Sequence, residues 1–120
     1  MVKNKELDIA VVGELNMDLI MTGFTSFLEM GQNKLSKDIN LTMGSASAIF
    51  ACNIARLGAD VGFCGKVGDD LLGDYILKTL KSSNIEVSQI IKDENAKTGI
   101  CVSISFPENY AMASYPGVRE

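Results

Sequence analysis

Residues 41–73 read LTMGSASAIFACNIARLGADVGFCGKVGDDLLG, and this stretch decides the fold. It opens on a small-residue turn, Gly44-Ser45-Ala46-Ser47, and runs into an apolar helical segment over 48–57. Phe50, Ile54 and Leu57 form a large stripe at helical spacing; Ala48, Ala51, Cys52 and Ala55 form a small one beside it. A helix that is apolar all round is expected to be buried, its small stripe lying close to a central sheet. Gly58 stops it, residues 61–64 (VGFC) follow as a short strand, and the glycine-punctuated run 65–70 is expected as a turn opening a second helix. The unit is half of a layered α/β domain. The N–H groups at the start of the first helix, beside Gly44, Ser45 and Ser47, have no intrahelical partner and are open to a ligand.

Towards the N-terminus, residues 7–13 (LDIAVVG) are short, apolar and β-branched, and predict a buried parallel strand, central in its sheet. Asn16 and Asp18 follow it. In open α/β sheets ligands gather beyond the carboxyl ends of strands, so these two polar side chains are placed to meet one. The competing reading is a turn in which both bond their own backbone. Residues 19–24 (LIMTGF) predict a strand and 25–33 a loop. Residues 34–43 (KLSKDINLTM) predict another strand, with Leu35, Ile39 and Leu41 apolar and a bulge near Asp38.

Towards the C-terminus, Asp69 or Asp70 caps the second helix, a simpler role for the pair than catalytic carboxylates. Leu72, Tyr75, Ile76, Thr79 and Leu80 share its inner face. Residues 85–91 contain a short extended run and 92–97 a polar turn. Residues 98–106 (TGICVSISF) alternate, Pro107-Glu108-Asn109 turns, and 110–115 (YAMASY) return, which is a β-hairpin.

The 120 residues suffice for one domain, and 47% hydrophobic with 22% charged residues is an ordinary globular composition. A net charge of −4 without a basic cluster argues against nucleic acid or an anionic membrane surface as partner. No signal-peptide core or membrane-length apolar run is present, and cytoplasm is the expected compartment. Cys52, Cys64 and Cys101, odd in number and set in apolar runs, predict reduced cysteines rather than a disulfide frame or zinc site. With no histidine, Ser-His and Cys-His nucleophiles and histidine-bound metals are excluded within the chain. Residues 60–67 fail as a phosphate loop, because Asp60 replaces the first glycine and Val67 the Ser/Thr; Lys66 is expected as a solvated turn residue. No dinucleotide-binding glycine fingerprint follows the first strand.

Ala55-Arg56-Leu57-Gly58 after an alanine-rich helix, then Gly65-Lys66-Val67-Gly68-Asp69-Asp70-Leu71-Leu72-Gly73, resembles the first signature region of the ribokinase-like (PfkB) carbohydrate kinases. The Gly-x-x-Asn-x-Asp over 13–18 and the Thr-Gly at 98–99 before a hairpin closing in Tyr-Pro-Gly resemble the same family. Two departures stand out: Ser45 replaces a usual second glycine, and Ile49 a usual sugar-binding asparagine. The resemblance implies an α/β fold: the N-terminal portion, over 1–120, of one ribokinase-like domain, a parallel sheet with helices plus a small β-sheet lid formed near 19–43 and 98–117. It implies a sugar or nucleoside kinase using ATP and Mg2+ to phosphorylate a hydroxymethyl group, with lids that pair two subunits. Asn16, Asp18, Gly44, Ser45 and Ile49 are the implied substrate-binding positions. A carboxylate suits sugar hydroxyls because it accepts two hydrogen bonds at once.

The family's catalytic base, anion hole and most of its nucleotide site belong to a later segment not found in these residues, so this chain alone is expected to bind neither cofactor nor metal and to be inactive. The alternative is a non-catalytic binding or interaction module, natural or truncated. If the site is real, the Asp18 carboxylate and the Ser45 backbone should face one cleft about a sugar diameter across, on the order of 6–10 Å.

Overall fold

The computed structural model describes residues 6–119. Its elements are β1 (Ile9–Val12), β2 (Asn16–Thr22), β3 (Asp38–Met43), α1 (Ala46–Arg56), β4 (Val61–Gly68), α2 (Leu71–Ser82), β5 (Ile90–Asp93), β6 (Gly99–Ser105), β7 (Tyr110–Tyr115) and a 3-10 turn, Gly117–Arg119. They make two sheets. One is parallel and three-stranded, in the order β1-β4-β5; the other is four-stranded and mixed, in the order β3-β2-β6-β7. The fold class is α/β, as the alternation of elements predicts.

In the parallel sheet β4, not β1, is central. Val61, Phe63 and Val67 of β4 are fully buried, whereas β1 pairs on one side only and exposes Val12. β4 also runs to Gly68 instead of turning after Cys64. Its glycines are close-packing positions, not turn punctuation: a Cβ on Gly65 would come within 3.0 Å of the Gly13 carbonyl, and one on Gly68 within 2.5 Å of the Thr98 nitrogen. Lys66 is therefore a strand residue, 3.5 Å from the Asp93 carboxylate. The 85–91 run resolves into a bridge from Glu86 to Gly62 and then β5.

The expected burial of α1 is half right. Its buried residues are Ala48, Ala51 and Cys52, the small stripe, which lets the helix lie close on β4. Of the large stripe, Phe50 and Leu57 are 51% and 87% exposed, while Ile54 packs against the core. The small stripe meets the sheet as expected, because close approach selects small residues; the expectation that the helix is buried all round does not hold. Asp70 caps α2, accepting the Gly73 N–H at 2.8 Å, and Ile76 and Leu80 carry the burial on that helix.

The four-stranded sheet is two-faced, because side chains alternate and paired residues share a side. Its registers align Met17, Leu19 and Met21 of β2 with Met43, Leu41 and Ile39 of β3 and with Ile100, Val102 and Ile104 of β6. The other face aligns Asp18, Ile20 and Thr22 with Thr42, Asn40 and Asp38, and Asn16, Asp18 and Ile20 with Gly99, Cys101 and Ser103. One face is apolar and the other largely polar. β3 begins at Asp38, four residues later than the alternation suggested, which leaves Leu35 exposed in the preceding loop. The predicted hairpin β6–β7 is present, its turn over 106–109 starting one residue earlier than expected, and Phe24, Phe27 and Phe106 cluster at the far end of the sheet. Cys52, Cys64 and Cys101 are free, two of them buried. Among the described residues no helix is long and apolar enough to cross a membrane.

Candidate functional site

The β1–β2 connection and the start of α1 are tied together where the two sheets meet. Ser45 is the N-cap of α1, its hydroxyl oxygen accepting the Ala48 N–H at 3.5 Å while its O–H donates to the Glu14 carbonyl at 2.5 Å. Ser47 lies 3.0 Å from the Ser45 hydroxyl and 3.5 Å from the same carbonyl. Gly13 makes room for it: a Cβ there would lie 2.2 Å from the Ser47 oxygen. The Gly44 N–H donates to the Asn16 carbonyl at 2.8 Å, closing the base of the β2–β3 pair.

Asn16 and Asp18 lie in β2 itself, not in a turn before it, since β2 begins at Asn16. Asn16 is 5% exposed and donates from its amide to the Met17 carbonyl and to the Asp18 carboxylate, each at 3.3 Å. The Asp18 carboxylate lies directly over Gly44: a Cβ on Gly44 would come within 2.6 and 2.7 Å of its two oxygens. Gly44 is thus the residue that lets an acidic side chain reach the start of α1, whose partial positive charge favours a carboxylate. The helix N–H groups of Ala46 and Ser47 precede the first intrahelical acceptor and sit at the same end. The structure therefore brings Asn16, Asp18, Gly44 and Ser45 together. The Ser45 side chain is engaged by Glu14 and by the cap, so what this residue has left to offer a ligand is backbone.

Ser45 has φ 77° and ψ 125°, a conformation that L-residues avoid. That is the physical meaning of the glycine expected at this position. Ile49, half-exposed at 49%, lies one turn further along α1 in a groove of about 250 Å³ that it shares with Thr42, Met43, Asn53, Arg56 and Tyr75. It lines the flank of α1 that faces α2.

A second junction escaped the sequence reading. Asp70 accepts the Thr98 N–H at 2.9 Å and the Thr98 hydroxyl at 2.7 Å besides capping α2. Burial works to raise its pKa, but the hydrogen bonds from Thr98, Gly73 and Leu72 together outweigh it and hold the carboxyl below its ordinary value. The Thr-Gly pair was the available signal; its partner, 28 residues away, was not.

The descriptive model of the pfkB family carbohydrate kinases matches residues 6–117. The chain belongs to this family. It is 34% identical over 106 residues to the 5-dehydro-2-deoxygluconokinase of Clostridium perfringens, covering 88% of this chain and 29% of that protein. With the enzyme of the same name from Geobacillus kaustophilus it shares 32% over 112 residues, again 88% and 29%. Among solved structures it superposes on Halothermothrix orenii fructokinase with a TM-score of 0.80 at 27% identity, over 93% of this chain and 38% of that one. On Arabidopsis thaliana ribokinase, complexed with ribose and ATP, the TM-score is 0.86 at 20% identity, which speaks to the fold alone. This pfkB-family chain thus spans less than a third of the length of those curated relatives. The ribokinase-like architecture anticipated from the signature is the one found.

Proposed function

We propose that this chain supplies the sugar-binding wall and lid of an ATP-dependent kinase that phosphorylates a hydroxymethyl group of a sugar, sugar acid or nucleoside. One observation carries the reading: the Asp18 carboxylate, beside the Asn16 amide, rests on the start of α1 at the meeting of the two sheets. A carboxylate with unfilled acceptor sites takes adjacent hydroxyls as donors, and nearby backbone N–H groups take hydroxyl or carbonyl oxygens as acceptors. The polar face of the four-stranded sheet, with Thr42, Asn40 and Ser103 in line with Asp18, suits the underside of a lid. A lid that excludes water favours transfer to sugar over hydrolysis. The opposite, apolar face suits pairing with the same face of a second copy.

Among the described residues no group of three or more Cys, Asp or Glu side chains converges as a metal site. The role of this chain is to bind and orient the hydroxyls and to cover them. Ile49, which has no hydrogen-bonding atom in its side chain, reads no hydroxyl at its position. The names of the two 5-dehydro-2-deoxygluconokinases put that sugar acid first in a substrate panel, with D-fructose, D-ribose and adenosine after it.

Titration calorimetry of the chain with these four compounds tests the reading. Saturable binding of at least one, lost in Asp18→Asn, is expected; binding by none, or equal binding by Asp18→Asn, overturns it. A coupled ADP-release assay is expected to show no phosphate transfer by the chain alone, and sugar-dependent ADP above the protein-free control would contradict that division of labour.

A further inference from the structure

We infer that Asp70 is a positioning residue: it latches the β6–β7 half of the four-stranded sheet to the N-terminus of α2, and through β6 it sets the position of the strand that carries Asn16 and Asp18. The inference goes beyond the kinase reading and does not depend on it.

The latch is one continuous network. The Thr98 hydroxyl donates to Asp70 at 2.7 Å and accepts the Gly68 N–H at 2.9 Å, while the Thr98 N–H donates to the other Asp70 oxygen at 2.9 Å. The same carboxylate holds the Gly73 N–H at 2.8 Å. Three chain segments thus converge on two side chains: the end of β4, the first turn of α2 and the residue before β6. Thr98 is 2% exposed, so its polar atoms have no water to fall back on. The packing leaves no slack. A Cβ on Gly73 would lie 2.2 Å from the Gly68 carbonyl, and one on Gly68 would lie 2.5 Å from the Thr98 nitrogen.

The exit of the hairpin passes the same point. The Val118 N–H donates to the Lys97 carbonyl at 3.0 Å, and a Cβ on Gly117 would lie 2.6 Å from the Gly99 nitrogen. Both ends of the β6–β7 hairpin are therefore held next to Thr98. From there the path to the candidate site is a single strand pairing, since Gly99 and Cys101 are the partners of Asn16 and Asp18. Helix capping alone requires one oxygen of Asp70; the second oxygen, and the Thr98 hydroxyl, serve the sheet.

Amide hydrogen exchange on the whole chain separates a latch from a cap. In Asp70→Asn the remaining carbonyl oxygen still accepts Gly73 N–H, and asparagine caps helices well, but its amide presents a donor to the Thr98 N–H. Exchange of the β6 and β2 amides is expected to rise about thirtyfold while the first-turn amides of α2, which exchange by local fraying and report on the cap, stay within about twofold of the parent. Thr98→Ser, which keeps the hydroxyl, is expected to match the parent, and Thr98→Val to share the loss in the sheet. Equal loss in α2 and the sheet, or no change in the sheet, would overturn the latch. If Asp70→Asn does not fold, Thr98→Val, which leaves the cap intact, decides between the same outcomes.

Discussion

Two aspartates stand where the two sheets join, each beside the start of a helix, and they are treated in opposite ways. Asp70 caps α2 and accepts bonds from Gly73 and twice from Thr98. Asp18 lies over Gly44 at the start of α1 and, among the described residues, accepts one long bond, from Asn16 at 3.3 Å. A saturated carboxylate is a structural part, and removing it costs stability. An unsaturated one, held at a helix start by a glycine, has acceptor capacity to spare, and under the proposed function removing it costs binding. On that proposal the same side chain at the same kind of place is assigned two jobs by the number of donors around it.

The substitution expected to have the largest effect is at the saturated junction. Gly68→Ala drives a methyl into the Thr98 nitrogen and the Ala96 carbonyl, both backbone. A loss of about 3 kcal/mol is expected, read as the shift in a urea-unfolding midpoint. Asp70→Asn should cost about 2 kcal/mol, as expected when charge-assisted bonds to a buried partner are lost. The matching change at the other junction, Asp18→Asn, should move stability by less than about 0.5 kcal/mol. A cost for Asp18→Asn equal to that of Asp70→Asn would erase the contrast.

Acid sharpens the same comparison. The Asp70 pKa is held below its ordinary value of 3.8. A carboxylate with a depressed folded pKa contributes stability that is fully present above its unfolded value, about 3.9, and is lost as pH falls through the folded value. The stability gap between the parent and Asp70→Asn should therefore be constant near neutrality and narrow below about pH 4, measured by urea unfolding across that range.

Ser45→Gly is a small effect of the opposite sign. Relief of a positive φ offsets loss of the hydroxyl bond to Glu14, and Ser47 stands 3.5 Å from the same carbonyl. A net gain of about 0.5 kcal/mol is expected in thermal unfolding, and a loss above about 1 kcal/mol would show that the serine bonds outweigh the strain.

What the sequence made legible follows from range. The α1–β4–α2 unit could be read because its signals are local: a small stripe, a Gly after Leu57, an aspartate before a helix. The hairpin β6–β7 could be read from alternation alone. The extension of β4 could not, because Gly65 and Gly68 look like turn residues until the backbone that crowds them is known. The central position of β4 depends on pairing partners and could not be read. Asn16, Asp18 and Gly44 were found together through the family pattern. Their physical link, a carboxylate resting where Gly44 has no side chain, is a contact between residues 26 apart and leaves no local trace.

The claim that Asp18 and the start of α1 form one ligand-binding surface is tested most directly by 1H–15N spectra of the chain titrated with 5-dehydro-2-deoxygluconate and with D-fructose. The account predicts saturable shifts centred on the amides of Asp18, Gly44, Ser45, Ala46 and Ser47, absent in Asp18→Asn. Shifts centred elsewhere, or unchanged by Asp18→Asn, would contradict it.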